Sequence, residues 1–159
     1  MDLLDRLLEH DRWATDQLPA LSRGLTDAQL DQEFDVGHRS LRATFEHMIV
    51  NIAFWTALMD ERPVDAPQED HSLAALSERH ERSYATFATL ARQLRDEQRL
   101  DETFVDHYAA RKSFGGTIIH VVLHNAEHRT EALHILERLG LHEVPEVDPG
   151  LWDYQMHNN

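Results

Sequence analysis

Cysteine is absent from this chain, which removes disulfides, thiolate ligands and cysteine nucleophiles and leaves His, Asp and Glu as the available metal ligands. Its absence fits a reducing cytoplasm. Basic residues are scarce: 15 Lys and Arg stand against 29 Asp and Glu, and the net charge of -14 repels nucleic-acid phosphates and anionic lipid surfaces. A small-molecule substrate is the expected partner, with no nucleic acid and no membrane. No stretch approaches the ~18 apolar residues of a membrane span. The opening MDLLDRLLEHDRW sets acids inside its apolar pattern and offers no basic region, unbroken apolar core or small-residue cleavage site, so it reads as a helix start and not a signal peptide.

What is present points to helices. The 159 residues suit one domain, 1–159, able to bury about two-thirds of its unfolded surface in a single core, so no metal is needed merely to hold it together. From Asp2 to about Ser22, apolar residues recur at Leu3, Leu4, Leu7, Leu8, Trp13, Ala14 and Leu18, the helical template, with Pro19 straining the last turn. A connector follows, with Gly24 as a stop and Thr26 and Asp27 capping a short turn around Leu30. Ser40 is placed to cap a second helix running through Leu41, Phe45, Met48, Ile49, Ile52, Trp55 and Leu58, which Pro63 ends.

Residues 63–71 read as a loop, and Ser72 caps a third helix whose stripe is Leu73, Leu76, Tyr84, Phe87, Leu90 and Leu94. Residues 99–112 fit no long helix, and TFVDHY at 103–108 suggests a short extended piece. Gly115 and Gly116 are expected to form the loop before a fourth helix, about Thr117 to Leu139, which Gly140 closes. Residues 141–159 form a tail in which Trp152 and Tyr154 are expected to pack back on the body. Four amphipathic helices with no sustained strand pattern predict an all-α four-helix bundle with longer connections between helices two and three and between three and four.

Histidine is plentiful, at 12 residues, but position decides what each does. In IIHVVLHNAEHRTEAL, residues 118–133, His120, His124 and His128 recur every four residues, so they stack along one helical face about 40° out of line. An ion with ~2.0 to 2.1 Å nitrogen bonds can be gripped by such an i, i+4 pair. From His120 to His128 the helix rises ~12 Å, too far for one ion, so at most two of the three can share it.

Glu131 lies one turn beyond His128 on the same face, as a hydrogen-bond partner or an acid/base group, whereas Arg129 and Glu137 project away. The third ligand must come from another helix, and His47 sits mid-helix among Ala43, Val50, Asn51 and Phe54, where an unpartnered imidazole would be costly. Three histidines leave a fourth position for water or substrate, the open coordination expected of catalysis. Spacing alone is equally compatible with histidines that merely pack. His120 is then a neighbour of the site, His10 near Trp13 is solvated on the surface of the first helix, and Trp13, Phe54 and Trp55 are core.

Three segments taken together, LLEHDRWATDQL, LRATFEHMIVNIAFW and FGGTIIHVVLHNAEHRTEAL, resemble in order and spacing the DinB-like superfamily of metal-binding four-helix bundles, from Leu3 to about Gly140. The resemblance implies a ligand triad of one histidine from helix two and the i, i+4 pair from helix four, which fall on His47, His124 and His128. The chain departs from the family pattern at Leu123, where Asn is common, at Glu127, where a second His often stands, and at Thr130-Glu131, where Gly-Gln is usual.

Membership of such a superfamily would imply a divalent ion, zinc or nickel ahead of iron or manganese, and frequently a homodimer. It would also imply a thiol-S-transferase type of enzyme with a low-molecular-weight thiol as cosubstrate, in which Glu131 or His120 moves a proton or orients a ligand. A metal-dependent hydrolase and a non-catalytic metal- or ligand-binding stress-response bundle, its coordination closed by a group such as Glu131 or His10, are the alternatives. A helical interaction module without metal is a third.

Overall fold

Side-chain caps begin nearly every helix. The structure, a computed structural model, describes residues 1–158; Asn159, the last residue of the expected tail, lies outside the described residues. Helix α1 spans Leu3–Ser22, α2 Asp27–Leu30, α3 Leu41–Met59, α4 Leu73–Asp96, α5 Phe114–Arg138 and α6 Pro149–Asn158, with strands β1 (Thr103–Val105) and β2 (Arg111–Ser113) between α4 and α5. The backbone N–H groups of Asp5, Ala43 and Ala75 donate to the side chains of Asp2, Ser40 and Ser72, at 2.9, 3.2 and 3.2 Å. Thr26 and Gln29 form a reciprocal capping box on α2. Each cap satisfies a donor that the first turn leaves orphaned, worth about 1 kcal/mol.

The same chemistry corrects the start of the fourth long helix. Gly115 and Gly116, expected in a loop, lie inside α5, because Ser113 is the cap and its hydroxyl accepts from the Gly116 N–H at 3.1 Å. Glycine at 115 favours a close approach: its N–H donates to the Leu100 carbonyl at 2.8 Å, and a Cβ there would stand a tight 3.1 Å from that oxygen. At the other end Gly140, with φ of +97°, follows α5 in the left-handed region.

The extended piece is also shorter than expected. Strand β1 stops at Val105 and pairs antiparallel with β2, Thr103 opposite Ser113, because the Asp106 carboxylate accepts from the N–H groups of Tyr108 and Ala110, each at 2.9 Å, and turns the chain. Phe104 from the hairpin stacks on Phe114 at 5.4 Å. The tail folds into α6, which buries Trp152 but leaves Tyr154 65% exposed, so only one of its two aromatics packs on the body.

Among the long helices, α3 packs against α4 and α5, and α1 packs against α5 and α4. Their shared interior falls into two apolar halves. One gathers Leu8, Ile52, Phe87, Leu94 and Val121; the other gathers Leu18, Leu41, Met48, Ile135 and Leu136. Leu3 and Leu7, counted in the stripe of α1, stand exposed. Between the halves in sequence lie the buried polar residues Asp11 and Thr15 of α1, His80 of α4, and Asn125, His128 and Arg129 of α5.

That layer is bonded across helices. Arg129 pairs with the fully buried Asp11 and donates to Thr15 Oγ1 at 3.0 Å. The Asn125 amide donates to the other Asp11 oxygen at 2.8 Å, and Tyr84 donates to the Leu8 carbonyl at 2.7 Å. Burial pushes the Asp11 carboxyl up, against the opposing pull of Arg129 and Asn125.

Candidate metal centre

The helical registers of α3 and α5 bring His47, His124 and His128 together. His124 Nε2 lies 3.1 Å from His47 Nε2 and 3.2 Å from His128 Nε2. Two nitrogens bound to one ion at 2.0 to 2.1 Å stand about 2.9 Å apart at right angles and about 3.4 Å apart at the tetrahedral angle. The observed contacts fall between those limits. His124 Nε2 thus stands from each of its two neighbours at a spacing that a shared ion would allow.

Two of the rings are in the charge state that binding an ion requires. Burial, followed by the neighbouring imidazoles of His38 and His128, lowers His47 to about 4, and burial with His128 and His47 lowers His124 to about 4. Both are neutral near pH 7, which a nitrogen ligand must be. His128 is oriented from behind: its Nδ1 donates to Glu131 Oε2 at 2.6 Å, which leaves the Nε2 lone pair facing His124. His124 has no such support, since its buried Nδ1 lacks any partner.

A fourth imidazole, which the sequence pattern did not flag, stands at the same place. Ligand atoms of His38, His47 and His128 lie within 4.8 Å of one another, and the His38 ring stacks on His47 at a centroid distance of 3.7 Å, 26° from parallel. His38 comes from the loop between α2 and α3, outside any helical repeat, so periodicity carries no signal for it. Burial, and after it the neighbouring imidazole of His128, lower its pKa. The residues of this site fit a divalent ion by their nitrogen chemistry, their spacing and the carboxylate behind one of them.

The other expected participants divide. Glu131 reaches the site through His128 and also touches the loop, since a Cβ at Gly37 would overlap its carboxylate. His120 is exposed; its ring lies 5.3 Å from that of His124 and edge-on to Trp55 at 5.3 Å. Trp13, Phe54 and Trp55, expected as core, are only half-buried. Phe54 and Trp55 meet His107, from the turn of the β hairpin, at 4.8 and 6.0 Å.

His10, expected to be solvated, is half-buried and engaged elsewhere. Its Nε2 is 2.9 Å from the Val147 carbonyl, and its ring lies 6.0 and 5.9 Å from those of Trp13 and Trp152. It is therefore taken up by the tail and does not close the histidine cluster. No helix among the described residues is long and apolar enough to cross a membrane. The family model described as DinB family matches residues 1–156. No curated protein matches the chain.

Proposed function

The chain belongs to the DinB family, and from that premise we propose that its four long helices form a single-domain four-helix bundle that holds a divalent ion on His47, His124 and His128. We further propose that it works as a metal-dependent enzyme of the thiol-S-transferase type. The observation that carries the reading is the pair of Nε2 contacts that His124 makes, 3.1 Å to His47 and 3.2 Å to His128, with the lowered pKa values of His47 and His124 keeping those two rings neutral. When bound, the ion supplies Lewis acidity, which makes a thiol or water a stronger acid near neutral pH.

The chain's own residues supply the rest. Glu131 holds the Nδ1 proton of His128 and so fixes which nitrogen of that ring faces the cluster. His120, exposed beside His124, is placed to take a proton from a thiol entering along the wall of Trp55, Phe54 and His107. The half-buried aromatic wall gives an apolar substrate body a surface to lie on.

A second reading is a non-catalytic metal-binding bundle, favoured by one observation, the fourth imidazole of His38 at the cluster. Elemental analysis and turnover test both. Wild-type protein is expected to carry about one divalent ion per chain and His124→Ala much less; equal metal content in the two would remove the site. Transfer of a thiol to an electrophile by the loaded wild type, lost in His124→Ala, is the enzymatic outcome; metal without turnover is the binding one.

A further inference from the structure

His38 differs from the other three histidines in what carries it. His47, His124 and His128 ride on long helices, whereas His38 sits in a loop between two residues with left-handed backbone, Gly37 at φ +47° and Arg39 at φ +74°. A non-glycine residue in that region is strained and persists only where its surroundings impose it. The Phe34 N–H donates to the Arg39 carbonyl at 2.7 Å, and the Arg39 N–H to the Val36 carbonyl at 2.8 Å. These bonds tie the loop into a compact turn that presents His38 to the cluster. The turn rests on the site itself, with the backbone of Gly37 against the carboxylate that orients His128.

The position of the His38 ring adds a second point. Two imidazoles bound to one ion keep their ring centroids about 4.5 Å or more apart, given bonds of about 2.0 to 2.1 Å at angles of 90° or wider; His124 and His128, at 4.3 Å, lie just inside that spacing, and His47 stands 4.9 and 4.7 Å from them. His38 and His47 are stacked at 3.7 Å. Both cannot ligate in that arrangement, yet their ligand atoms, with that of His128, already lie within 4.8 Å of one another. A shift of the His38 ring of about 1 Å separates the stacked state from a ligating one, and the loop is the part of the site able to make it.

We propose that His38 is an exchangeable fourth ligand: it completes the coordination of the ion held by His47, His124 and His128 in the resting protein, and returns to its stack on His47 when an incoming thiol takes its place. The proposal rests on the metal site put forward above. It explains how a cluster of four imidazoles serves an enzyme instead of closing the ion off: three ligands are fixed by helices and the fourth is surrendered by a loop. Exchange here is ligand substitution only, with the thiol proton passing to solvent or to His120 and no change of oxidation state.

The test uses the full chain loaded with cobalt(II), whose visible absorption reports the number and type of its ligands. Wild type is expected to show the intense absorption of a four-coordinate nitrogen site. His38→Ala, checked for fold by far-ultraviolet circular dichroism, is expected to bind cobalt at least about tenfold more weakly and with an altered spectrum, and free imidazole is expected to restore both. Titration with 2-mercaptoethanol is expected to give a sulfur-to-cobalt charge-transfer band in wild type and, at about tenfold lower thiol, in His38→Ala.

Equal cobalt affinity, spectrum and thiol response in the two proteins would overturn the proposal, and so would a variant that imidazole does not rescue. A thiol band in His38→Ala but none in wild type would make His38 a permanent ligand and overturn its exchange. Wild-type protein that takes up no cobalt would remove the three-histidine site, and this proposal with it.

Discussion

Glu131 is the residue on which the metal reading can be tested most sharply, because it touches the site without being a proposed ligand. Its Oε2 accepts from His128 Nδ1 at 2.6 Å, with the glutamate side chain 22% and the histidine side chain 10% exposed. A hydrogen bond to a charged group in such a setting is worth about 1.5 to 3 kcal/mol, against about 0.5 to 1.5 kcal/mol for a neutral one. Carboxylates behind ligating histidines change metal affinity by about 10- to 100-fold. Glu131→Ala should therefore weaken zinc binding by about 10- to 100-fold, or about 1.4 to 2.7 kcal/mol, and Glu131→Gln, which keeps an acceptor but loses the charge, by less. Gly37→Ala should act in the same direction, since its Cβ would overlap and displace the Glu131 oxygen that accepts from His128. The assay is competition against a chromophoric chelator at pH 7, with urea unfolding of the metal-free proteins to show an unchanged fold. A Glu131→Ala protein within threefold of wild type would refute the argument that this carboxylate orients a ligand.

Two further outcomes follow from the buried polar groups. Arg129→Met leaves the fully buried Asp11 carboxylate without its cation and should cost about 3 to 5 kcal/mol in urea unfolding, most of it recovered in Asp11→Leu/Arg129→Met; a loss under about 1 kcal/mol would show the pair to be incidental. Burial lowers His80 from 6.5 to about 4, so as pH falls the unfolded chain takes up a proton before the folded one does, and stability conferred by the neutral ring above pH 6.5 is lost towards pH 4. The loss is about 3 kcal/mol by pH 4, and His80→Leu should flatten the acid limb of the urea midpoint by about that amount between pH 7 and 4.

The helices were legible because their signals are local. Ser40 and Ser72 begin α3 and α4 where the sequence placed them, and the stripe of α4 buries Leu76, Tyr84, Phe87 and Leu94. The i, i+4 spacing and the mid-helix setting of His47 likewise brought out three histidines that the fold does bring together. What escaped depends on contacts between distant segments. His38 is placed by a left-handed turn whose fit against Glu131 exists only after α5 has docked. Gly115 looked like a loop residue because nothing local announces the Leu100 carbonyl above it. The α6 helix has little amphipathic pattern for periodicity to detect and buries a single residue, Trp152.

Arg129 is the most instructive case, since on the helical wheel it is only a charge turned away from the histidine row. In the fold it is 4% exposed and paired to Asp11 of α1. Consecutive helical residues point about 100° apart, and α5 packs against both α1 and α3, so Arg129 can engage α1 while His128 meets His47 of α3. The Asp11–Arg129 pair thereby gives α5 a directional tie to α1 beside its histidine contact with α3. An apolar replacement could stabilise the helices as well as the pair does, yet without its directional bonds α5 would be aligned by packing alone, and three nitrogens held 3.1 and 3.2 Å apart tolerate little rotation. Asp11→Leu/Arg129→Met should therefore recover stability without recovering metal affinity, staying at least about tenfold weaker than wild type in zinc competition. Recovery of both together would mean that packing alone aligns the site and that the buried pair contributes nothing to it.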